Sequence, residues 1–198
     1  MDADAWNDRY ETSELLWHAE PNQFVRAELA ELQPGTGLDL ACGEGRNAVW
    51  LAGRGWTMTA TDFSARAIEK GEALAAEHGV DVTFLVADAT TYEPETSFDL
   101  VLSCYLQLPE PDRTEALHRA RDAVAPGGSF LLIAHDRSNL DGGYGGPPDP
   151  GVLPVPDEVV TALDGFVVER AEVVDRVVDT DEGQRVAKDT LVRARRPV

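Results

Sequence analysis

Apolar residues fall along this chain in two alternating patterns, short continuous runs and stretches in which they recur every three or four positions, the marks of buried strands and amphipathic helices. Runs at 36–41, 56–61, 82–87, 98–103 and 129–134 predict five strands, of which 82–87 reads as short and buried. Between them, residues 47–53 predict a first crossover helix, and 65–77 a second that buries Ile68, Gly71, Leu74 and Ala75 before stopping at His78-Gly79. A third helix opens at Pro111-Asp112, turns Ala116, Leu117, Ala120 and Val124 inward, and is closed by Pro126-Gly127-Gly128. After a short helix at 156–163, residues 166–178 and 185–195 alternate as two long strands joined by the polar turn Asp179-Thr180-Asp181-Glu182-Gly183. Ahead of the first strand stand Trp6, Tyr10, Leu15, Leu16 and Trp17, then a helical pattern through Phe24, Val25, Leu29 and Leu32 that ends at Pro34-Gly35. Strands followed by helices over most of the chain predict an α/β fold.

The stretch from Leu38 to Ala48 changes character twice. It is apolar except for Asp39 up to Ala41, Gly43 and Gly45 then release the backbone, and a helix former resumes at Asn47. Glycines permit a turn that side chains would block, and the first helical turn offers free N–H groups to an electron-rich ligand. Gly43-Glu44-Gly45-Arg46-Asn47-Ala48 satisfies the loose G-x-G-x-x-A dinucleotide pattern, a weak signal taken alone because glycine turns also simply join strands to helices. The second strand ends at Asp62, 17 residues after Gly45, where a carboxylate is placed to accept hydrogen bonds from ribose hydroxyls. Its alternative is a helix cap, a task for which Ser64 is better positioned.

With Asp39 four residues before Gly43, the wording Asp-Leu-Ala-Cys-Gly-Glu-Gly-Arg-Asn resembles the first motif of the class I S-adenosylmethionine (SAM)-dependent methyltransferases, most of all the branch of tellurite-resistance and thiopurine methyltransferases. Phe98-Asp99-Leu100-Val101 resembles the same family. Ala41 departs from it, since many members carry glycine there; a stiffer turn without lost function is expected. The resemblance implies a Rossmann-like seven-stranded mixed sheet in the order 3-2-1-4-5-7-6, helices on both faces and a C-terminal antiparallel hairpin, in one domain spanning 1–198 with residues 1–34 as a lid. It implies SAM as cofactor and S-adenosylhomocysteine (SAH) as product. The cofactor residues carried over are Asp39, Ala41, Cys42, Gly43, Gly45, Arg46 and Asn47 from the first motif, Asp62, Phe63 and Ser64 after the second strand, Asp88 and Ala89 after the third, and Cys104 and Tyr105 after the fourth. By the same resemblance Arg9 faces the methionine carboxylate and Tyr10 walls the methyl group, against the plainer alternative that Trp6 and Tyr10 anchor a helix.

Composition narrows the acceptor. A chain of 198 residues with 43% hydrophobic and 27% charged residues has the mixture of a globular protein, and no apolar run is long enough for a membrane span. The acidic start lacks the features of a secretory signal, so a cytoplasmic protein is expected. A formal charge of -19 should repel phosphate backbones, which argues against a nucleic-acid partner and for a small-molecule methyl acceptor; a monomer or weak homodimer is expected. The tip Cys104-Tyr105-Leu106-Gln107 also differs from the Asn-Pro-Pro-Tyr type motif of amino methyltransferases of DNA. Two cysteines, with no CxxC pair, and the scattered His18, His78, His118 and His135 offer no metal motif.

Catalytic candidates are His135, as the best titratable group, Arg137, as the best anion contact, and Tyr105, with Tyr10, Trp17 and Tyr144 as further walls of the acceptor pocket. His135 and Arg137 follow the fifth strand, at the carboxyl edge where open α/β sheets bind ligands. Residues 141–156 hold five Gly and five Pro, which should exclude helix and regular strand and leave a loop over the acceptor pocket or a plain linker. Two rivals stay open: an NAD(P)-dependent oxidoreductase with the same glycine turn, and a SAM-binding module without catalysis. If the strand order holds, Cys42 and Cys104 lie together at the carboxyl edge.

Overall fold

The structure, a computed structural model, describes residues 3–11, 15 and 19–198; Leu16, Trp17 and His18 lie outside the described residues. Strands β1 (Thr36–Leu40), β2 (Thr57–Asp62), β3 (Val82–Val86), β4 (Phe98–Cys104), β5 (Val124–His135), β6 (Val167–Thr180) and β7 (Gly183–Arg195) form one sheet in the order 3-2-1-4-5-7-6. The first five are parallel, and β7 runs antiparallel between β5 and β6. The helices are α1 (Ala3–Tyr10), α2 (Gln23–Leu29), α3 (Arg46–Ala52), α4 (Ala65–His78), α5 (Asp112–Ala123) and α6 (Pro156–Ala162).

The central strands read as continuous apolar runs because both their faces are covered. Val101, Phe130 and Leu132 pack on one side with Leu117, Val159 and Leu163, while Leu100, Leu102, Leu131 and Ile133 pack on the other with Val25, Leu29 and Leu51. Cap chemistry sets the helix starts. The Asn22 side chain accepts from the Phe24 and Val25 N–H groups at 2.8 and 3.3 Å, and Ser64 Oγ accepts from Ala67 N at 3.1 Å, as its position after the second strand suggests.

Two expectations are corrected. Strand β3 is not buried: it forms one edge of the sheet, so Leu85 and Val86 are 39% and 59% exposed. Strand β5 begins at Val124 instead of 129, because Val124 pairs with Phe98 and the register is regained at Ser129 across a bulge in which Gly127 has φ 80°. Residues 141–156 form a loop, as their composition suggests, and not a free linker. Pro150–Val152 forms a 3-10 turn capped by Asp149, Leu153 is fully buried, and Asn139 holds the segment by donating to Gly145 O at 2.8 Å and accepting from Lys188 N at 2.8 Å. Tyr144 N donates to Val186 O, tying the segment to β7.

Candidate functional site

The turn after β1 is wound tightly. Ala41, Gly43 and Gly45 have φ values of 59°, 57° and 73°, so the left-handed conformation is used three times within five residues. Ala41 therefore carries a cost of roughly 1–2 kcal/mol that glycine would avoid, a sharper consequence of the departure than a stiffer turn. At Gly45 a side chain is excluded twice over, since a Cβ would also lie 2.7 Å from the Phe84 ring beneath it.

Two carboxylates flank this turn. Asp62 is buried and accepts from Gly43 N and Ser64 N, each at 2.9 Å, so it holds the turn after β1 to the one after β2. Burial raises its pKa against the pull of those two N–H groups. Asp39 is buried more deeply. One oxygen accepts from the Ala48 N–H of α3, while Oδ2 is buried with no hydrogen-bond partner. Burial pushes Asp39 up to about 7; the Ala48 N–H and the Arg46 guanidinium work against the rise, and the Asp62 charge adds to it. A sealed carboxylate oxygen beside a glycine turn is a site prepared for a cationic or N–H-bearing ligand.

Helix α1 lies over this region. Asn7 Oδ1 accepts from Ser64 Oγ at 2.6 Å, and the buried Tyr10 ring has Lys70 Nζ 5.9 Å from its centroid. Lys70 in turn donates to Glu44 Oε1 at 2.9 Å, a pair only 11% and 3% exposed that fixes the residue between the two glycines to α4. Trp6 stacks on Tyr10 at 5.6 Å, and Arg9, exposed, lies 4.5 Å over Trp6. Phe63 is half-buried and Ala89 buried, whereas Asp88 is exposed and its Oδ1 accepts from Thr90 N at 2.8 Å in a local turn.

Cys42 and Cys104 both sit at the carboxyl edge, on neighbouring strands paired Leu40 to Ser103. Burial is the main cause raising both thiols, Cys104 to about 12, with Arg46 and the Asn47 amide opposing at Cys104. They are protonated linings, not nucleophiles.

Beside them lies a second polar cluster. Asp189 of β7 is fully buried, and its Oδ2 accepts from Tyr105 Oη and from Arg176 Nε, both at 2.7 Å. His135 Nδ1 lies 3.2 Å from Asp189 Oδ1, within ion-pair reach but not aligned as a hydrogen bond, so both atoms are left without a hydrogen-bond partner. The Tyr105 and His135 rings meet at 5.0 Å, and Gly146 crosses the imidazole so closely that a Cβ there would lie 2.9 Å from it. Tyr105 takes φ 64°, strain of the kind stored at functional sites. Asn22 joins the two regions: its N–H donates to Asn47 Oδ1 at 2.9 Å and its Nδ2 to Tyr105 Oη at 3.3 Å. Arg137 stands apart, 40% exposed and paired with Glu158 of α6 at 2.7 Å. Tyr144 is exposed on the loop.

Sequence reasoning missed Asp189, Arg176, Asn22 and the Lys70–Glu44 pair. Asp189 had a signal, a carboxylate followed directly by Thr190-Leu191-Val192 inside a strand facing the core.

Residues 38–128, which hold the glycine turn, match the family model described as a methyltransferase domain, and the sheet has the order 3-2-1-4-5-7-6 that the resemblance of the first motif implies. Among curated proteins, the chain is 31% identical over 114 residues to the 2-heptyl-1-hydroxyquinolin-4(1H)-one methyltransferase of Mycobacteroides abscessus, covering 56% of this chain and 50% of that protein. The chain spans about half the length of the curated relatives it matches. Among solved structures, the N-methyltransferase NodS from Bradyrhizobium japonicum WM9, in complex with SAH, superposes with a TM-score of 0.74 at 18% identity over 99% of this chain and 98% of its own. TehB from Haemophilus influenzae gives 0.73 at 19% identity over 98% of this chain and 66% of its own, a counterpart at the level of fold for the branch that the glycine turn resembles. The glycine turn at 41–45 lies within the matched residues. Among the described residues no helix is long and apolar enough to cross a membrane, and no group of three or more His, Cys, Asp or Glu is arranged to hold a metal ion.

Proposed function

We propose that this chain transfers a methyl group from SAM to a small-molecule acceptor held at the carboxyl edge of the sheet. The observation that carries the reading is the buried Oδ2 of Asp39, without a hydrogen-bond partner, beside a glycine turn whose Gly43 N–H is held by Asp62. Those residues fit the cofactor of the class: Asp39 and the turn through Gly43, Gly45, Arg46 and Asn47 would hold its amino-acid end, Asp62 its ribose, and Phe63, Ser64, Asp88 and Ala89 its base. Arg9 and Tyr10 would close over it from α1. Bound there, the cofactor supplies a methyl group activated on a sulfonium.

The chain's own part is positioning and exclusion of water. Ala41, Cys42 and Cys104 offer small or weakly polar surface without a competing nucleophile. Tyr105 and His135 face the acceptor, and Arg137, half-exposed beside Glu158, provides cationic rim for an anionic one. Such a site works mainly by approximation and desolvation. The name of the M. abscessus relative, a hydroxyquinolinone methyltransferase, favours small organic acceptors, and the charge of -19 disfavours nucleic acid. We infer a cytoplasmic monomer or weak homodimer.

The test is a thermal-shift comparison of SAM, SAH, NAD and NADP, followed by SAH release across a panel of small thiols, phenols, carboxylates and oxyanions. A ligand held only by the native state raises the melting temperature, so SAM and SAH should do so and NAD should not. Stabilisation by NAD alone would refute the reading, and SAM binding without turnover on any acceptor would leave a binding module.

A further inference from the structure

We propose that Asp189 fixes His135 as a base, with the proton on Nδ1 and Nε2 free, and that the acceptor is a small molecule whose reacting atom arrives as a protonated hydroxyl. This rests on the methyl-transfer reading above. Three observations carry it. Asp189 is a fully buried carboxylate whose Oδ2 is saturated by Tyr105 and Arg176, while its Oδ1 has no hydrogen bond and faces His135 Nδ1, likewise unpartnered, at 3.2 Å. A small rotation of the imidazole closes that gap. A carboxylate can only accept, so the pairing is an N–H donated from Nδ1, and in the neutral ring this leaves Nε2 on the opposite side as the acceptor nitrogen. Finally, the ring is held on two sides, by Tyr105 at 5.0 Å and by Gly146 of the loop, yet its side chain keeps 13% exposure.

Asp189 is set to remain ionised. The His135, Arg176 and Tyr105 contacts outweigh its burial and hold its carboxyl below the usual range, while burial and Asp189 push the Tyr105 hydroxyl up and keep it a donor. The charged and titratable groups facing His135 are therefore Tyr105 from the tip of β4, Asp189 from β7 and, through Asp189, Arg176 from β6. An acceptor already ionised would need no such arrangement. For a hydroxyl, the O–H bond breaks with its electron pair left on oxygen, and the proton passes to Nε2. Asp189 balances the imidazolium so formed. The oxygen pair then forms the bond to the methyl carbon as the carbon–sulfur pair returns to sulfur, and the proton leaves Nε2 for solvent.

Asp189→Asn tests the arrangement sharply. Two donors, Tyr105 Oη and Arg176 Nε, require the amide oxygen on their side, which turns the amide NH2 toward Nδ1 and drives the His135 proton onto Nε2. Ring nitrogen shifts of 15N-histidine protein, assigned with His135→Gln, should show Nδ1–H in the wild type and Nε2–H in the variant. SAH release should fall by about 100-fold or more for acceptor hydroxyls of pKa above ~9, the scale of a lost general base. For an acceptor ionised at the assay pH it should change less than ~3-fold, since no base is needed. A proton on Nε2 in the wild type, which is read without any variant having to fold, or equal losses for both acceptors, would overturn the proposal. SAH binding measured by calorimetry is a separate readout: its absence in the wild type would fail the methyl-transfer reading, whereas the tautomer speaks only to Asp189.

Discussion

Replacing Asp39 by asparagine separates what the buried carboxylate costs the empty protein from what it contributes to the cofactor. Asp39 is 1% exposed and its folded pKa, about 7, stands above the ordinary 3.8, so the native state binds a proton that the unfolded chain has released. Stability must then fall as pH rises from about 4 to about 7, because the group contributes fully below its unfolded pKa and loses that contribution through the folded one. Three pKa units at 1.36 kcal/mol each make this about 4 kcal/mol, as an upper figure. The substituted amide cannot ionise, so cofactor-free D39N should equal the wild type near pH 4 and exceed it at pH 8 by up to that amount. Urea unfolding of both proteins across this range isolates the residue, since other titrating groups cancel in the difference. With SAH the order reverses: the orphaned Oδ2 should gain a charged partner, and D39N should bind more weakly by about 1.5–3 kcal/mol. Wild-type binding at pH 6.5 should also release a proton, seen as a dependence of the calorimetric heat on the buffer's ionisation enthalpy. Parallel pH–stability curves for the two proteins, or a variant less stable at pH 8, would refute the reasoning.

Asp62→Ala should weaken SAM by roughly 1–3 kcal/mol in calorimetry, and should also lower the melting temperature without ligand, because Gly43 N and Ser64 N both lose their acceptor. Unchanged affinity would remove Asp62 from the ribose site. Ala41→Gly relieves a left-handed alanine at φ 59° but frees the unfolded chain, for a net gain of up to about 1 kcal/mol in urea unfolding; a loss would mean that the methyl group packs where the backbone argument ignores it. Cys104, pushed up to about 12 by burial, should react with a thiol reagent at pH 8 about 10³-fold more slowly than in the urea-unfolded chain, and more slowly still with SAM bound. Folded and unfolded rates within tenfold of each other would contradict that burial.

Where neighbours in sequence are neighbours in space, the chain could be read directly. The glycine turn, the Ser64 cap and the buried face of Ile68, Gly71, Leu74 and Ala75 are local, and the strand order came through the resemblance that the turn carries. Strand β3 was misjudged because an apolar run does not say whether one face or two are covered, and position in the sheet decided it. The segment at 141–156 was legible as a loop from its composition, whereas what orders it, Asn139 and β7, was not. Tyr105 and His135 were named from their places at strand ends, but their pairing with Asp189 was out of reach for the same reason: Tyr105 and Asp189 are 84 residues apart, and neither shows its partner in its own surroundings.

Asn22 bears on how a cofactor and an acceptor would act on each other's affinity. It is the N-cap of α2, its backbone N–H engages Asn47 beside the glycine turn, and its side chain reaches the Tyr105 hydroxyl in the cluster around Asp189. One residue is thus a shared hinge between two compartments, and neither can shift it without the other registering the movement. By thermodynamic reciprocity, any tightening that the cofactor imposes on Asn22 returns as an equal change in acceptor affinity, and the acceptor acts on the cofactor by the same factor. In the proposed reaction Asn22 would couple the two ligands symmetrically, raising or lowering each affinity by one factor whichever of them binds first.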